Sequence, residues 1–202
     1  MAGTLIYSPK VLAADCKTEI YLSTNLESMV KKKSMVLESL ISQNAVNLDH
    51  LIKRRLRYED IFIKSVDENC IDKNLALSIS YVESKFYNLA LSEKGAAGLM
   101  QFMPATAVES GLKLYPVDER YMPEKAIPAG IAHLRKLMDK FDNNVVLALA
   151  AYNSGQQRVE DSIKKHKKKA VVSRLIGIPK ETKNFIFWVL AVKQHYDSIE
   201  EP

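Results

Sequence analysis

Ser78-Ile79-Ser80-Tyr81-Val82-Glu83-Ser84-Lys85-Phe86, followed by Gly95-Ala96-Ala97-Gly98-Leu99-Met100-Gln101-Phe102-Met103-Pro104, is the stretch whose reading decides the fold. Asp72 is a good helix N-cap. Ile71, Leu75, Ile79, Val82 and Phe86 then recur at steps of four or three, one apolar stripe facing a core. Glu83 lies at the edge of that stripe. A carboxyl there is partly desolvated, which raises its pKa and keeps it protonated near neutrality, the state a general acid needs. A surface glutamate in the last turn of a helix is the competing reading, and the following stretch tells against it. Gly95 and Gly98 bracket a loop able to bring backbone close to a ligand. Leu99, Met100, Phe102 and Met103 surround a single amide, Gln101. Pro104 suits the first turn of a helix, and Gly111 marks its end.

Working outward, residues 57 to 70 carry an amphipathic helix that begins near Ile61 and Phe62 and ends near Asn69. Residues 17 to 56 are polar-rich and helical in pattern, with Leu22, Leu26, Met29, Val36 and Leu40 at roughly heptad spacing. Lys31-Lys32-Lys33 reads as a solvated face. Ser42-Gln43-Asn44 breaks the pattern, and Asn47 or Asp49 would cap a second short helix. The region is taken as a helical arm, packed on the domain or preceding it.

Downstream, residues 112 to 126 are a turn-rich connection. Ile127, Ile131, Leu134, Met138 and Phe141 make a helical stripe with Pro128 near its start. His133 reads as a helix-surface histidine, because neither a nucleophile nor a metal partner shares its spacing. Asp142 or Asn143 would cap the next helix. Val145 to Tyr152 contains no charge and should be buried on nearly all sides, with Gly155 as its stop. Tyr152 and Asn153, at its exit, suit either the lining of a cleft or satisfied core polars. Lys164-Lys165-His166-Lys167-Lys168-Lys169 is a basic tract, by default a solvated one. Pro179 opens the last helix, with Phe185, Trp188, Val189, Val192 and Tyr196 as its buried stripe. Glu181 sits in its first turn, where the helix dipole favours an acid.

The 202 residues, 47% of them apolar, bury one sizeable core. A net charge of +5 favours an anionic partner such as a wall polymer. Nucleic acid is discounted, because aromatic residues do not interleave with the basic runs. Cys16 and Cys70 are too few for a disulfide scaffold or a zinc site. They read more simply as incidental thiols than as a disulfide, which would need an oxidising compartment. No apolar run is long enough to span a bilayer. Residues 1–16 have small residues like those before a signal-peptidase cut, but Pro9 and Lys10 interrupt the apolar region, so an export-signal remnant is only one reading. Strand signals are weak and internal repeats absent. The expected fold is predominantly all-α: an N-terminal helical extension over 17–56, a domain over 57–197 and a tail over 198–202.

Four pieces in order carry a family resemblance: Tyr81-Val82-Glu83-Ser84; Gly95 through Ala107; Ala150-Ala151-Tyr152-Asn153-Ser154-Gly155; and Glu181-Thr182. They resemble the motifs of the soluble lytic transglycosylase catalytic domain across residues 57 to 197. The resemblance implies a lysozyme-like α fold and cleavage of the β-1,4 bond between N-acetylmuramic acid and N-acetylglucosamine in peptidoglycan, without a cofactor or metal. It implies Glu83 as sole acid/base. It also implies substrate contacts at Ser84, Ser92, Gln101, Met103, Tyr152, Asn153 and Glu181. Most glycosidases use two carboxylates; this family is implied to use one, because the C6 hydroxyl of muramic acid is the nucleophile and a 1,6-anhydro end results. No second acid stands beside Glu83 in the motifs, although folding could bring in Asp118 or Glu124. A periplasmic or envelope location is implied, with peptidoglycan strands as partner and room on the arm for a wall-spanning secretion, conjugation or flagellar assembly. Three positions depart from the family pattern: Phe185 replaces a common tyrosine, Gln156-Gln157 a common Pro-Gly, and Cys70 a usual glycine. A lysozyme-type hydrolase and a non-catalytic wall-binding module are the alternatives.

Overall fold

The computed structural model describes residues 24–43, 48–166, 175 and 177–200. The export-signal reading, Leu22, Asn44, Asn47, Cys16 and Lys167 to Lys169 all lie outside them. The described elements are α1 (Thr24–Ser42), α2 (Leu48–Leu56), α3 (Glu59–Asn69), α4 (Lys73–Ser84), α5 (Pro104–Glu109), α6 (Pro123–Lys140), α7 (Val145–Ser154), α8 (Gln156–Lys165) and α9 (Lys180–Glu200). Among the described residues there is no sheet. Two isolated antiparallel bridges, Leu91 with Ala97 and Ala97 with Phe102, are the extended pairings among those residues. The expected α architecture holds, and α9 continues to Glu200, into what was read as a tail from residue 198.

Two apolar helices form the centre. α4 starts at Asp72, whose carboxylate accepts from the Leu75 amide at 2.8 Å, and it is buried continuously from Asn74 to Tyr81. It packs against α3 and α9, with Phe62 meeting Phe86 edge-on at 6.4 Å between ring centres. α7 is buried from Val145 to Ala151 and touches α6, α8 and α9. Its cap is Asn144, which accepts from the Leu147 amide at 3.1 Å. Asp142 and Asn143, the expected caps, instead take left-handed turn conformations that asparagine and aspartate tolerate. α6 begins at Pro123, so Pro128 lies inside the helix rather than at its start.

The buried Lys193 on α9 ties the first turn of α4 down. Its ammonium donates to Asp197 at 2.8 Å and pairs with Asp72 at 3.3 Å, while the Asn74 amide donates to Asp197 at 3.0 Å. A buried ion pair of this kind holds geometry more than it adds stability.

The arm packs on the domain: α1 lies along α9. The buried stripe is Leu26, Val30 and Leu37, however, and Met29 and Val36 are exposed. Of the expected stripe Leu26 is buried and Leu40 partly so, and the heptad spacing fails at Met29 and Val36, where Val30 and Leu37 take their place. A straight helix advances 3.6 residues per turn, and the face toward α9 also includes Lys33, whose ammonium sits 4.6 Å from the centre of the Trp188 ring. Cys70 caps α3 in the left-handed region, φ 48°, which accounts for glycine being usual there. It is held in a disulfide, which corrects the reading of an incidental thiol.

Candidate active site

Just past Glu83 the chain leaves α4 through two consecutive left-handed residues, Lys85 and Phe86, and enters the glycine-punctuated loop. That loop is fastened from several sides. The Leu99 carbonyl accepts from the Ser84 hydroxyl at 2.9 Å and from the Ser80 hydroxyl at 3.2 Å, so both lone pairs are directed at α4. The Tyr152 phenol at the end of α7 donates to the Met100 carbonyl at 3.1 Å. Arg120, 8% exposed, donates through Nη1 to the carbonyls of Gly95 at 2.8 Å and Phe102 at 3.0 Å. Its Nε and Nη2 grip Asp118, the latter at 2.7 Å. At Gly98, φ +78°, an added Cβ would lie 1.8 Å from the Arg120 carbonyl oxygen. Only glycine fits there.

Against this loop opens a cleft of about 680 Å³. Glu83, Ser92, Gln101, Met103, Tyr152, Asn153 and Glu181 all line it. Ser84 does not: it is buried, and its hydroxyl also lies 3.0 Å from the Ser80 carbonyl. The i, i+4 position turns it inward, so its role moves from substrate contact to holding the loop. Gln101 is itself left-handed, φ 48°, and both hydrogens of its amide go to backbone carbonyls, Gly98 at 2.9 Å and Ala90 at 3.2 Å. Its side-chain carbonyl is the end left to accept from a ligand. The Ser92 hydroxyl accepts from the Ala96 amide at 2.9 Å, closing the loop on itself.

Burial raises the Glu83 carboxyl from 4.5 to about 8; Lys85 pulls it down and Glu181 adds a smaller upward push. Desolvation therefore dominates, with the neighbouring carboxylate the least of the three causes. A carboxyl in this state is a proton donor at neutral pH. Burial, with the charge of Glu83 beside it, pushes the Tyr152 phenol well above its ordinary range, so it stays protonated as a hydrogen-bond donor. Asp118 is committed to Arg120, which holds it below the usual carboxylate range, and neither it nor Glu124 lines the cleft. The other acids that do are Glu93 and Glu181. Glu181 is paired with Lys94 at 3.1 Å. Among the described residues no group of histidines, cysteines and acids could hold a metal.

The residue type and spacing misplaced His133. It lines the cleft, its ring tilted against Tyr152 at 5.6 Å and Phe102 at 6.3 Å. Burial, with Lys136 nearby, lowers its pKa, so it is neutral at pH 7. Arg120, Ser80 and Arg158, which also lines the cleft, carry no periodic signal; only the position of Ser80 one turn before Ser84 hints at a role.

A model of the transglycosylase SLT domain matches residues 60–173. The chain belongs to the transglycosylase SLT domain family. Relatives include the peptidoglycan transglycosylase gp16 of Escherichia phage T7, 38% identical over 104 residues, covering 50% of this chain and 8% of that protein. The soluble lytic murein transglycosylase of Salmonella typhimurium is 32% identical over 157 residues, covering 73% of this chain and 24% of the relative. This chain therefore corresponds to a quarter or less of the length of these relatives. Among solved structures, the 70 kDa soluble lytic transglycosylase of Escherichia coli superposes with a TM-score of 0.65 at 26% identity, covering 87% of this chain and 30% of that one. The lytic transglycosylase Slt of Pseudomonas aeruginosa gives 0.61 at 28% identity, covering 71% and 24%. The lysozyme-like α fold expected of a transglycosylase SLT domain is thereby shown. Glu181 and α9 lie beyond the residues the family model matches, yet the structure packs α9 on α4 and puts Glu181 on the cleft.

Proposed function

We propose that the chain is a peptidoglycan lytic transglycosylase in which Glu83 is the sole acid/base. The carrying observation is a carboxyl on the cleft wall whose raised pKa comes from burial first. Relatives bearing the names of peptidoglycan and murein transglycosylases support the substrate. Glu83, as the acid, gives its proton to the glycosidic oxygen while the bond from C1 of muramic acid breaks, and N-acetylglucosamine leaves with a free hydroxyl. The resulting carboxylate then takes the proton of the C6 hydroxyl as that oxygen bonds to C1. The 1,6-anhydro ring closes, Glu83 is again protonated, and no water is consumed. The Gln101 side-chain carbonyl, Asn153, Ser92 and Met103 are the groups placed to hold the sugars, and Tyr152 keeps the loop against Glu83.

This reading places the protein in the bacterial envelope, where its substrate is. Among the described residues no helix is long and apolar enough to cross a membrane. Attachment to a wall-spanning secretion, conjugation or flagellar assembly is the finer reading and rests on the arm alone.

Digestion of purified sacculi, with products read by mass spectrometry, tests the reaction. Anhydromuropeptides are expected, and Glu83→Gln should abolish them while the circular dichroism spectrum is unchanged. Reducing ends instead would make the protein a lysozyme-type hydrolase, with Glu93 or Glu181 as the second acid to examine. Binding to sacculi without turnover would make it a wall-binding module.

A further inference from the structure

The Lys94 ammonium and the Glu181 carboxylate meet at 3.1 Å, 87 residues apart in the chain, and both line the cleft that holds Glu83. Lys94 stands on the glycine loop, between Ser92 and Gly95, and Glu181 on the first turn of α9. The pair thus joins two separate walls of the cleft. Its members are 76% and 73% exposed, against 9% for the guanidinium in the Arg120–Asp118 pair beneath the same loop. Water screens such a pair, and separating it costs little. Lysine, a point charge on a flexible stem with three rotatable donors, changes partner readily.

The wall polymer offers competing partners. The muramic acid of peptidoglycan carries a peptide through its lactyl group, and that peptide has free carboxylates. Glu181 is tied up for as long as Lys94 holds it. Resting on the transglycosylase reading above, we propose that Lys94 is a specificity-determining residue. It exchanges Glu181 for a stem-peptide carboxylate, so that peptide-bearing strands both gain an ion pair and release Glu181 toward the sugar. Glycan with neither peptide nor free lactyl carboxylate does neither. Arg158 is the other cation on the cleft wall whose role this exchange does not require, and it serves as the control for charge in general.

The test measures binding in the Glu83→Gln protein, where turnover does not interfere, by co-sedimentation with intact sacculi and with glycan stripped of peptide by an amidase, the lactyl carboxylates so exposed then being converted to amides. Intact strands are expected to bind about fivefold tighter, the size an exposed ion pair supports. Adding Lys94→Met should bring the two affinities together, Lys94→Arg should keep most of the difference, and Arg158→Met should leave it in place. A preference that survives Lys94→Met, that is lost equally in Arg158→Met, or that is absent from the start overturns the proposal. Wild-type digests that yield no anhydro ends would overturn the reaction assigned to Glu83 instead, and the binding ratios would still decide the role of Lys94.

Discussion

The Ser84 hydroxyl, immediately after Glu83 in the chain, donates to the Leu99 carbonyl at 2.9 Å. The proposed acid and the loop beneath the sugar are thereby placed relative to one another by a bond one residue from the chemistry. Ser84→Ala leaves that carbonyl with the longer bond from Ser80 alone, at 3.2 Å. The expected cost is ~1 kcal/mol of stability. Because misplacing the acid impairs the transition state more than binding, kcat should fall by about tenfold with KM little changed. Unaltered kcat would show that the loop keeps its position without Ser84.

Tyr152→Phe removes the donor to the Met100 carbonyl while keeping the ring against His133. A loss of ~1 kcal/mol is expected in urea denaturation, together with weaker glycan binding, because Met100 and Gln101 lie on the wall so released. A phenylalanine variant equal to wild type in both measurements would deny the hydrogen bond its role.

Arg120 has no access to the cleft, and its replacement should act through folding. Arg120→Met leaves the Asp118 carboxylate with only the amide of residue 120, and takes the side-chain donor from the Gly95 carbonyl and from the Phe102 carbonyl, which keeps the Ala97 amide. Breaking a fully buried pair from one side costs about 3–5 kcal/mol; Asp118 keeps partial access to water, which brings the expected cost to about 2–3 kcal/mol. Arg120→Lys should rescue little, since one ammonium does not reproduce the fork. Gly98→Ala should be comparably damaging, because its Cβ meets backbone at 1.8 Å. Thermal midpoints within a degree of wild type for either variant would contradict the loop architecture.

The Glu83 carboxyl makes stability depend on pH. Its folded pKa is raised to about 8 from 4.5. Below about pH 4.5 both folded and unfolded chains hold the proton. Between 4.5 and 8 the unfolded chain sheds it while the folded one keeps it, so stability falls as pH rises through that window. Glu83→Gln removes this loss. The variant should match wild type near pH 4 and exceed it at pH 8 by ~1–2 kcal/mol, a cleft open to solvent screening part of the full effect. A stability difference that does not change with pH would mean that burial does not hold the proton on Glu83.

Lys85 opposes that burial. Its ammonium donates to the Tyr81 carbonyl at 3.0 Å and sits over the Tyr81 ring. Lys85→Met should raise the Glu83 pKa further, moving the alkaline limb of kcat/KM upward. An alkaline limb that stays in place or moves down would exclude Lys85 as the group that moderates the acid.

The local rules of the chain determined α4, its Asp72 cap and a glycine-bracketed loop after it, because caps, apolar periodicity and glycine punctuation act within a few residues. The same rules marked α7 as buried, from its lack of charge. They also made Glu83 a candidate, since the edge of an apolar stripe is where a carboxyl loses water. The tertiary structure alone decided which polar groups meet across the chain. Ser84 turns inward to a carbonyl 15 residues away, and Arg120 reaches back 25 residues to Gly95. His133, ordinary by its spacing, becomes part of the cleft because Tyr152 and Phe102 close over it. Lys94 finds Glu181 across 87 residues. Periodicity records which face of a helix is covered, and α1 shows that even this is ambiguous when several apolar stripes compete. It leaves no record of a hydrogen bond to a distant backbone carbonyl, because any donor of the right reach serves and the partner contributes no side chain to the pattern.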